Sequence, residues 1–309
     1  MRVFKNINEF SQLKSAVVTS GTFDGVHLGH QKILNRLSEV AKNINGESVV
    51  ITFHPHPRMV VSLDASELRL LSTIDEKIEL LEKQGVDNLI IIPFTREFSE
   101  LTSSEFIQKI LIEKIGTKKL VIGYDHRFGK NREGGFDYLK ENSQQFGFEI
   151  EEIPRQEIDS LTISSTKIRN ALLEGDVNTA NDLLDRKYSF RGLVAKGRQL
   201  GRTIGFPTAN VQVPETYKLI PGDGVYAVKV EVRNEYHFGM MNIGMRPTVN
   251  GIGRTQEVNI FDFNDDIYGE KIKVEIIDFI RKEQKFNGLD ELKNQINLDK
   301  QATLNILNS

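Results

Sequence analysis

The sequence predicts an α/β domain with a parallel, Rossmann-like sheet, followed by a mainly antiparallel β-barrel domain that ends in a C-terminal helix. From residue 16 to about residue 155, short β-rich runs alternate with amphipathic stretches, as in parallel strands joined by crossover helices. After Lys187, runs of alternating apolar and polar residues are separated by turn residues, which is typical of antiparallel sheets and small barrels. The 309 residues are enough for two domains, and this change of pattern predicts domains at 1–186 and 187–309.

Five strands and three longer helices are predicted in the first part. The strands are AVVTSGTF, ESVVITF, NLIIIPF, KKLVIGYD and FEIEEIP. One helix follows each of the first three strands, at HQKILNRLSEVAKNI, IDEKIELLEKQG and SSEFIQKILIEKIG. The segment STKIRNALLEGDVNTANDLLDRK then predicts two short helices with a break at Gly175, because glycine is unfavourable inside a helix.

The second part is predicted to be a small barrel followed by one helix. Its strands are SFRGLVAKG, GVYAVKVEVR, YHFGMMNIG, QEVNIFDF and KIKVEIIDFI, and no helical pattern separates them. The last segment, GLDELKNQINLDKQATLNIL, has helical periodicity.

Composition indicates a soluble globular protein. The formal net charge of −3 argues against a nucleic-acid binder, and 39% hydrophobic residues are enough for real cores. No cysteine is present, which excludes disulfides and thiolate metal sites and is compatible with a reducing cytoplasm. Neither a signal peptide nor an apolar run long enough to span a bilayer is visible. We therefore expect a cytoplasmic protein, monomeric or weakly homo-oligomeric, with no nucleic-acid or membrane partner.

A pair of histidines marks the first candidate site. GTFDGVHLGHQ, residues 21–31, places His27 and His30 at the start of the first predicted helix, directly after a strand. In parallel sheets, ligands bind beyond the carboxyl ends of the strands, where helix N-termini favour phosphates. Three glycines allow close approach of the backbone to a ligand: Gly21, Gly25 and Gly29. Two alternatives stay open at this point, namely an ordinary helix cap and a metal site, for which only His54 and His56 offer clustered further ligands.

A second segment strengthens the nucleotide interpretation. ISSTKIR, residues 163–169, places hydroxyl groups at a predicted helix start and basic side chains just inside it. Such a segment can grip phosphates and neutralise a leaving pyrophosphate. Its alternative is an N-cap followed by a solvated helix. The residues concerned are Ser164, Ser165, Thr166, Lys167 and Arg169.

Together these segments resemble the adenylyltransferase part of the bacterial bifunctional riboflavin kinase/FMN adenylyltransferases. HLGH and ISSTKIR match the HxGH and ISSTxIR pair of nucleotidyltransferases, and FDGVHLGHQ, FHPHP and IGYDHRFGKNREGG match the family further. The resemblance implies that His27 and His30 hold the ATP phosphates and the transition state. It assigns further residues to ATP or phosphate binding, namely Gly21, Phe23, Gly29, Asp125, Ser164, Ser165, Thr166 and Arg169. It assigns Phe128 to the flavin, whereas His126 stands where the family usually has Phe, so the lining beside Asp125 departs from the pattern.

A glycine-rich segment marks the second candidate site. GRQLGRTIGFPTANV, residues 197–211, has glycines that permit a backbone arch around a phosphate, at Gly197, Gly201 and Gly205. Thr208 and Asn210 supply neutral oxygen ligands suited to Mg²⁺ that keeps several waters. No GK[ST] follows, so this is not a Walker loop, and a plain glycine-rich turn of the barrel is the alternative.

Glu257 lies on a predicted strand, in RTQEVNIFDF. A lone strand carboxylate usually faces solvent. If this one points into the barrel mouth, it can accept the proton of a hydroxyl that attacks a γ-phosphate, as a general base.

These segments resemble the riboflavin kinase part of the same family. GFPTAN, GVYAV, NIGMRPT, the strand glutamate, DIYG and FIRKEQKF occur in the family's order, over roughly residues 187–300. The resemblance implies that Thr208 and Asn210 organise Mg-ATP, that Glu257 is the base, and that Arg281 lies near the flavin. Asn259 stands where the family often has His, and we expect little consequence, because the catalytic role belongs to the carboxylate.

The resemblance therefore implies an enzyme that makes FMN from riboflavin and ATP, and then FAD and pyrophosphate from FMN and ATP, with Mg²⁺ required in both steps and no covalent intermediate. One alternative is another HxGH nucleotidyltransferase or a synthetase-like enzyme that charges tRNA, although the chain lacks a basic anticodon-binding domain. The other is a non-catalytic flavin or nucleotide sensor, which would not need Glu257, Thr208, His27 and His30 together.

Overall fold

The computed structural model describes residues 1–62, 67–123, 126–153, 163–197, 200–248 and 251–307. The chain forms two compact units, Met1–Ser165 and Thr166–Ser309. The first contains a parallel sheet and the second a closed antiparallel barrel followed by a helix, which confirms the predicted fold class. A functional domain boundary near residue 186 stays a prediction.

The first unit is built on a six-stranded parallel sheet with the order β1-β4-β3-β2-β5-β6. Its strands are β1 (Arg2–Phe4), β2 (Ala16–Ser20), β3 (Glu47–His54), β4 (Asn88–Pro93), β5 (Thr117–Gly123) and β6 (Glu149–Ile153). The central strands are buried on both faces, as expected for a parallel sheet covered by helices. Alternate residues of β2 therefore lie in different cores, with Val18 in one cluster and Val17 in the other.

Six helices are described in the first unit: α1 (Leu28–Asn43), α2 (Pro57–Val61), α3 (Ile74–Lys83), α4 (Arg96–Ser99), α5 (Ser103–Glu105), which continues as a π-helix (Phe106–Ile115), and α6 (Phe136–Phe146). Short 3₁₀ turns lie at Ile7–Glu9 and Lys130–Arg132. α3 begins with a capping box in which Thr73 accepts from the amide of Glu76 and the Glu76 carboxylate accepts from the amide of Thr73.

β1 and α6 were not predicted from the sequence, and neither were the short helices α2 and α4 or the two 3₁₀ turns. β1 has three residues, too few for a period-2 pattern, and it forms by pairing with β4, from Arg2 opposite Asn88 to Phe4 opposite Ile90. Leu139 of α6 is fully buried, and Phe136, Tyr138 and Phe146 pack against the same core, so the helix has an apolar side that was not recognised in the sequence.

The side of the sheet on which successive strands are added changes between β2 and β5. The chain builds β2, β3 and β4 outward on one side and then crosses to place β5 on the other side of β2. In open α/β sheets, ligands bind in the crevice at the carboxyl ends of the two strands where this reversal occurs. Two segments reach this crevice by topology, because residues 21–27 follow β2 and His126 lies three residues beyond β5.

The second unit contains α7 (Ser165–Glu174), whose first residue belongs to the first unit, and α8 (Val177–Leu184), separated at Gly175 as predicted. Its barrel has the closed order β10-β11-β8-β7-β12-β9. The strands are β7 (Tyr188–Ala195), β8 (Ala209–Gln212), β9 (Gly224–Val232), β10 (Glu235–Thr248), β11 (Gly251–Ile260) and β12 (Lys271–Arg281). The remaining helices are α9 (Leu200–Thr203) and α10 (Leu289–Leu307).

Side-chain hydrogen bonds attach α8 to the barrel. The amide nitrogen of Asn181 donates to the carbonyl of Ile276 at 3.2 Å, and its amide oxygen accepts from the backbone of Tyr188 at 2.7 Å. Within the described residues, no helix combines the length and the apolar character needed to cross a bilayer.

Candidate functional site

The two histidines of HLGH stack on each other at the start of α1. Their ring centroids lie 3.7 Å apart with an angle of 16° between the planes, and His27 is buried. His27 is the N-cap of α1, and its Nδ1 accepts from the amide of His30 at 3.4 Å. When neutral, the His27 ring therefore carries its proton on Nε2, where it can be donated to an anion. The pair therefore caps the helix and also offers candidate hydrogen-bond donors to a phosphate.

The loop before α1 keeps this pair in place. Phe23 is buried with a φ of 47° and presents its ring to His30 edge to face, at 5.2 Å between centroids. The amide of Gly21 donates to the carbonyl of Ile51 on β3 at 3.0 Å, which fixes the start of the loop. Gly29 is buried in the first turn of α1.

The start of the ISSTKIR segment reaches the same loop. The hydroxyl of Ser165 donates to the carbonyl of Asp24 at 3.0 Å, so the two segments that the sequence singled out meet within the first unit. Ser164 and Thr166 are exposed at the start of α7, and Arg169 is half-buried one turn later. Asp125 lies outside the described residues.

A buried charged network lies next to this loop and was not predicted from the sequence. The Asp24 carboxylate accepts from the backbone amides of Leu71 and Ser72, both at 3.1 Å. The ammonium group of Lys77, on α3, donates to the hydroxyl of Thr52 at 3.4 Å. That hydroxyl donates to the carbonyl of Thr22 at 3.3 Å, so α3 and β3 both tie down the loop. Lys77 occupies a buried position of the predicted helix IDEKIELLEKQG. Helical periodicity predicts apolar residues at such positions, so it gives no reason to expect a charged side chain there.

Burial sets the electrostatics of this network. Lys77 is 5% exposed, and loss of hydration lowers its pKa to about 8, although the charge of Asp24 acts in the opposite direction. Burial, and then the charge of Lys77, lowers the pKa of His54 at the end of β3. His54 is therefore neutral near pH 7.

The crevice between β2 and β5 contains a second contact that the sequence did not reveal. The Oγ of Ser20, the last residue of β2, lies 3.3 Å from Nε2 of His126. The His126 ring stacks on Phe128 at 5.7 Å and 29°, and Phe128 packs against Phe106 at 5.4 Å. Burial, followed by the charges of Arg132 and Arg127, lowers the pKa of His126 to about 4, so the ring is neutral. A neutral aromatic surface thus lines the point where the topology predicts a ligand.

In the barrel, register places the candidate base beside a candidate metal ligand. Glu257 on β11 lies directly opposite Asn210 on β8 and opposite Asn242 on β10. Facing residues of antiparallel strands have their Cβ atoms about 4.5 to 5.5 Å apart, so these three side chains share one face. Asn242 in turn donates to the carboxylate of Glu283 at 3.4 Å. Glu257 is half-buried and lies in a polar cluster.

Thr208 borders a cleft of about 260 Å³ at the barrel. The cleft is lined by Val194, Arg202, Pro207, Thr208, Ala209, Val258, Ile260, Phe263, Asn264, Asp265, Asp266, Ile267 and Tyr268. Val258 and Ile260 alternate with Glu257 along β11, so strand geometry directs Glu257 to the other face of the strand. Thr208, just before β8, lines the cleft, and Asn210, two residues further on, belongs to the polar cluster.

Glycines make room for the side chains of this segment. A Cβ at Gly197 would overlap the amide group of Asn210, and one at Gly201 would overlap the carbonyl of Phe206. Gly205 has a φ of 86°, which favours glycine. The glycines thus allow the turn before Thr208 to fold closely over β8.

Arg281 is engaged in a bidentate ion pair with Asp299 of α10. Its Nε and Nη2 atoms donate to the two carboxylate oxygens at 2.8 and 2.7 Å, and Asp299 is 3% exposed. The guanidinium group also lies 5.8 Å from the ring centre of Phe286. In this structure Arg281 holds α10 against the end of β12, and a contact with flavin stays a prediction.

Two oxygen donors beside the barrel cleft are of the kind that Mg²⁺ takes in proteins. Among the described residues, no three His, Cys, Asp or Glu side chains come together as a metal site. Thr208 and Asn210 offer a hydroxyl and an amide oxygen, which are hard, neutral ligands. Asn210 occupies a space that a Cβ at Gly197 would fill, so its amide group is held in position.

Comparisons with known proteins agree in both halves of the chain. The FAD synthetase family model matches residues 9–167, and the riboflavin kinase family model matches residues 184–307. The chain is 41% identical to the bifunctional riboflavin kinase/FMN adenylyltransferase of Haemophilus influenzae, over 96% of each chain. It is 40% identical to that of Bacillus subtilis, over 95% of this chain and 92% of the relative. A crystal structure described as a macrolide-efflux protein from Streptococcus pneumoniae is 35% identical, with a TM-score of 0.89 and 98% of both chains covered.

Proposed function

Because the chain belongs to the family of bifunctional riboflavin kinase/FMN adenylyltransferases, we propose which of its residues carry each reaction. The enzyme phosphorylates riboflavin with ATP to give FMN, and adenylylates FMN with a second ATP to give FAD and pyrophosphate. We assign the first reaction to the barrel, residues 187–309, and the second to residues 1–186.

In the kinase reaction, Glu257 is the general base. The 5′-hydroxyl oxygen of riboflavin attacks the γ-phosphorus of ATP, the bond from that phosphorus to the β-phosphate oxygen breaks, and ADP leaves. Glu257 accepts the proton of the attacking hydroxyl. The observation that carries this assignment is that Glu257 lies directly opposite Asn210 on the neighbouring strand. Thr208, two residues before Asn210, lines the cleft.

The cleft beside Thr208 suits the nucleotide. Val194, Ile260 and Phe263 give it apolar walls for a base, and Arg202 supplies a positive charge at its rim. We propose that Gly197, Gly201 and Gly205 shape the turn that covers the phosphates. Thr208 and Asn210 would hold Mg²⁺, which neutralises charge on the transferred phosphoryl group when it is bound.

In the adenylylation reaction, a phosphate oxygen of FMN attacks the α-phosphorus of ATP directly, and pyrophosphate leaves with the electron pair of the broken bond. His27 and His30 donate hydrogen bonds to phosphate oxygens as charge develops on them. Ser165, Thr166 and Arg169 bind the departing β and γ phosphates. Support comes from the stacked histidine pair and from the hydrogen bond between Ser165 and the loop that carries Asp24.

The remaining assignments concern binding surfaces and environment. Phe128, next to the neutral ring of His126, would contact the flavin in the first unit, and Arg281 would contact it in the second. We further propose a cytoplasmic enzyme, monomeric or weakly associated, that uses small-molecule substrates only.

The two assignments are separated by one chromatographic assay. The protein is incubated with riboflavin, ATP and Mg²⁺, and riboflavin, FMN and FAD are resolved over time; FMN should appear first and FAD after it. Glu257→Gln should lower kinase turnover by roughly 100-fold or more, because it keeps size and hydrogen bonding but removes the basic group. Conversion of added FMN to FAD by the same preparation should be unchanged.

The matched control is Glu231→Gln, which removes a carboxylate from β9 in the same barrel. It should leave both activities within about twofold of the parent, as surface substitutions usually do. Unchanged kinase turnover in Glu257→Gln, with riboflavin affinity and melting temperature also unchanged, would remove Glu257 as the base and return it to a solvent-facing strand residue.

A further inference from the structure

Asn259 makes a short hydrogen bond that neither the base nor the metal ligands account for. It lies on β11 two residues after Glu257 and is 8% exposed. Its side-chain amide nitrogen donates to the carbonyl of Pro207 at 2.6 Å. Buried amide groups are costly to leave without partners, so this bond is a fixed feature of the unit and not a transient surface contact.

The bond extends the strand pairing beyond the point where the backbone ladder ends. β8 pairs with β11 at only two positions, Asn210 opposite Glu257 and Ala209 opposite Val258. Continuing this register by one residue places Asn259 opposite Thr208. Proline has no N–H group, so Pro207 can join a ladder only through its carbonyl. The Asn259 side chain takes that carbonyl as its partner and replaces the missing rung.

The two ends of this bond lie next to the two groups that the kinase reaction must keep in register. Pro207 precedes Thr208 directly, and Asn259 lies on the same face of β11 as Glu257. Glu257 is held on a strand by ladders on both sides, to β8 and to β10. Thr208 lies outside the ladder, at the end of the segment that contains Gly205, so its position relative to Glu257 depends on what fixes the peptide between Pro207 and Thr208.

We infer that Asn259 is a positioning residue for phosphoryl transfer, which holds the Pro207–Thr208 peptide so that the metal-binding hydroxyl and the base keep their separation. This inference rests on the proposed roles of Thr208 and Glu257. The barrel itself does not depend on the bond, because β8 also pairs with β7 at three positions, from Gln212 opposite Leu193 to Asn210 opposite Ala195. Loss of the bond should therefore affect catalysis more than folding.

The test variant is Asn259→Leu, which keeps approximate size and removes the donor. Its kinase kcat should fall by about 10- to 100-fold, the range expected when reacting groups move by about 1 Å, and its KM for Mg-ATP should rise. The KM for riboflavin and the conversion of FMN to FAD should stay within about twofold of the parent, since neither depends on this peptide. In the ligand-free protein, amide exchange in residues 206–210 should become faster.

Two further variants separate positioning from bulk structure. Asn259→His restores an N–H donor at the same position and should recover most of the turnover. Thr255→Val is the matched control, because Thr255 also donates from β11 to a carbonyl, that of Gly244 at 3.4 Å, but toward β10 and away from the loop. It should leave kinase turnover within about twofold of the parent.

The outcomes distinguish this inference from the function on which it rests. If Asn259→Leu behaves like Thr255→Val while Glu257→Gln and Thr208→Ala lose turnover, the positioning role is wrong and the proposed site stands. If Glu257→Gln and Thr208→Ala keep turnover, the proposed site is wrong, and the inference is wrong with it. Should Asn259→Leu fail to fold, Asn259→Asp is used instead: its carboxylate has nearly the same shape and no proton to donate to Pro207, and the same pattern is expected.

Discussion

The buried ammonium group of Lys77 allows a prediction whose size follows from the structure. Its pKa is lowered from 10.5 to about 8 because burial removes hydration. The folded protein therefore binds the Lys77 proton less tightly than the unfolded chain does. The resulting penalty on the free energy of unfolding is complete below pH 8 and fades as the pH rises from 8 toward 10.5. It is worth about 3 kcal/mol at pH 7 and about 2 kcal/mol at pH 9.

The perturbation is Lys77→Met, which keeps the length of the side chain and removes the charge. Asp24 keeps its hydrogen bonds from the amides of Leu71 and Ser72, so its carboxylate is not left without donors. From the pKa shift, the first unit of the variant should be more stable than the parent at pH 7, by at most about 3 kcal/mol because the bond from Lys77 to Thr52 is lost, and the advantage should shrink by about 1 kcal/mol at pH 9. The matched control is Lys83→Met on the exposed face of α3, expected within about 0.5 kcal/mol at both pH values.

The assay is unfolding in urea followed by a brief pulse of protease, which digests unfolded chains and reports the fraction folded. Protease-resistant fragments that correspond to residues 1–165 and to residues 166–309 are followed separately. The stability of the second unit, which the substitution does not touch, serves as an internal reference. A Lys77→Met variant that is less stable than the parent by the same amount at pH 7 and pH 9 would refute the reasoning. That result would mean that the charge of Lys77 is stabilised by its surroundings and not penalised by burial.

Two other predictions follow from the remaining contacts. His30→Ala removes one of the two stacked rings at the start of α1 and should slow conversion of FMN to FAD by about 100- to 1000-fold while riboflavin phosphorylation is unchanged; FAD formation at the parental rate would contradict the phosphate-binding role. A fragment of residues 166–309 should melt at a higher temperature than one of residues 187–309, because it retains the bonds from Asn181 to Tyr188 and Ile276; equal melting temperatures, measured by circular dichroism, would show that α7 and α8 add nothing to the barrel.

Much of the fold could be predicted because its signals are local. The five strands predicted in the first part correspond to β2 to β6, and the break between α7 and α8 falls at Gly175 as expected. Hydrophobic periodicity is a property of a short window, so it survives without knowledge of the rest of the chain. β1 was missed because three residues are too few for such a window, whereas the apolar side of α6, with Phe136, Leu139 and Phe146, was present in the sequence and was not recognised.

The candidate sites were predicted from short sequence motifs, and strand pairing in the folded barrel brings further residues to them. The spacing along the chain was enough to place His27 and His30 at one helix start, and Thr208 and Asn210 in one glycine-rich segment, because those separations are short. Folding of the barrel was needed to bring Glu257 opposite Asn210, and Asn259 against Pro207, since register between distant strands depends on the whole barrel.

The burial of a charged side chain and the identity of its neighbours could likewise not be predicted from the sequence. The sequence was enough to place Lys77 in an amphipathic helix and to show that His126 departs from the family pattern. The packing of α3 against the sheet then removed the ammonium group from water, and the adjacency of β2 and β5 placed His126 against Ser20. Hydration and proximity depend on every element that surrounds a group, so they are properties of the folded chain, whereas the periodicities that form those elements are already present in the sequence.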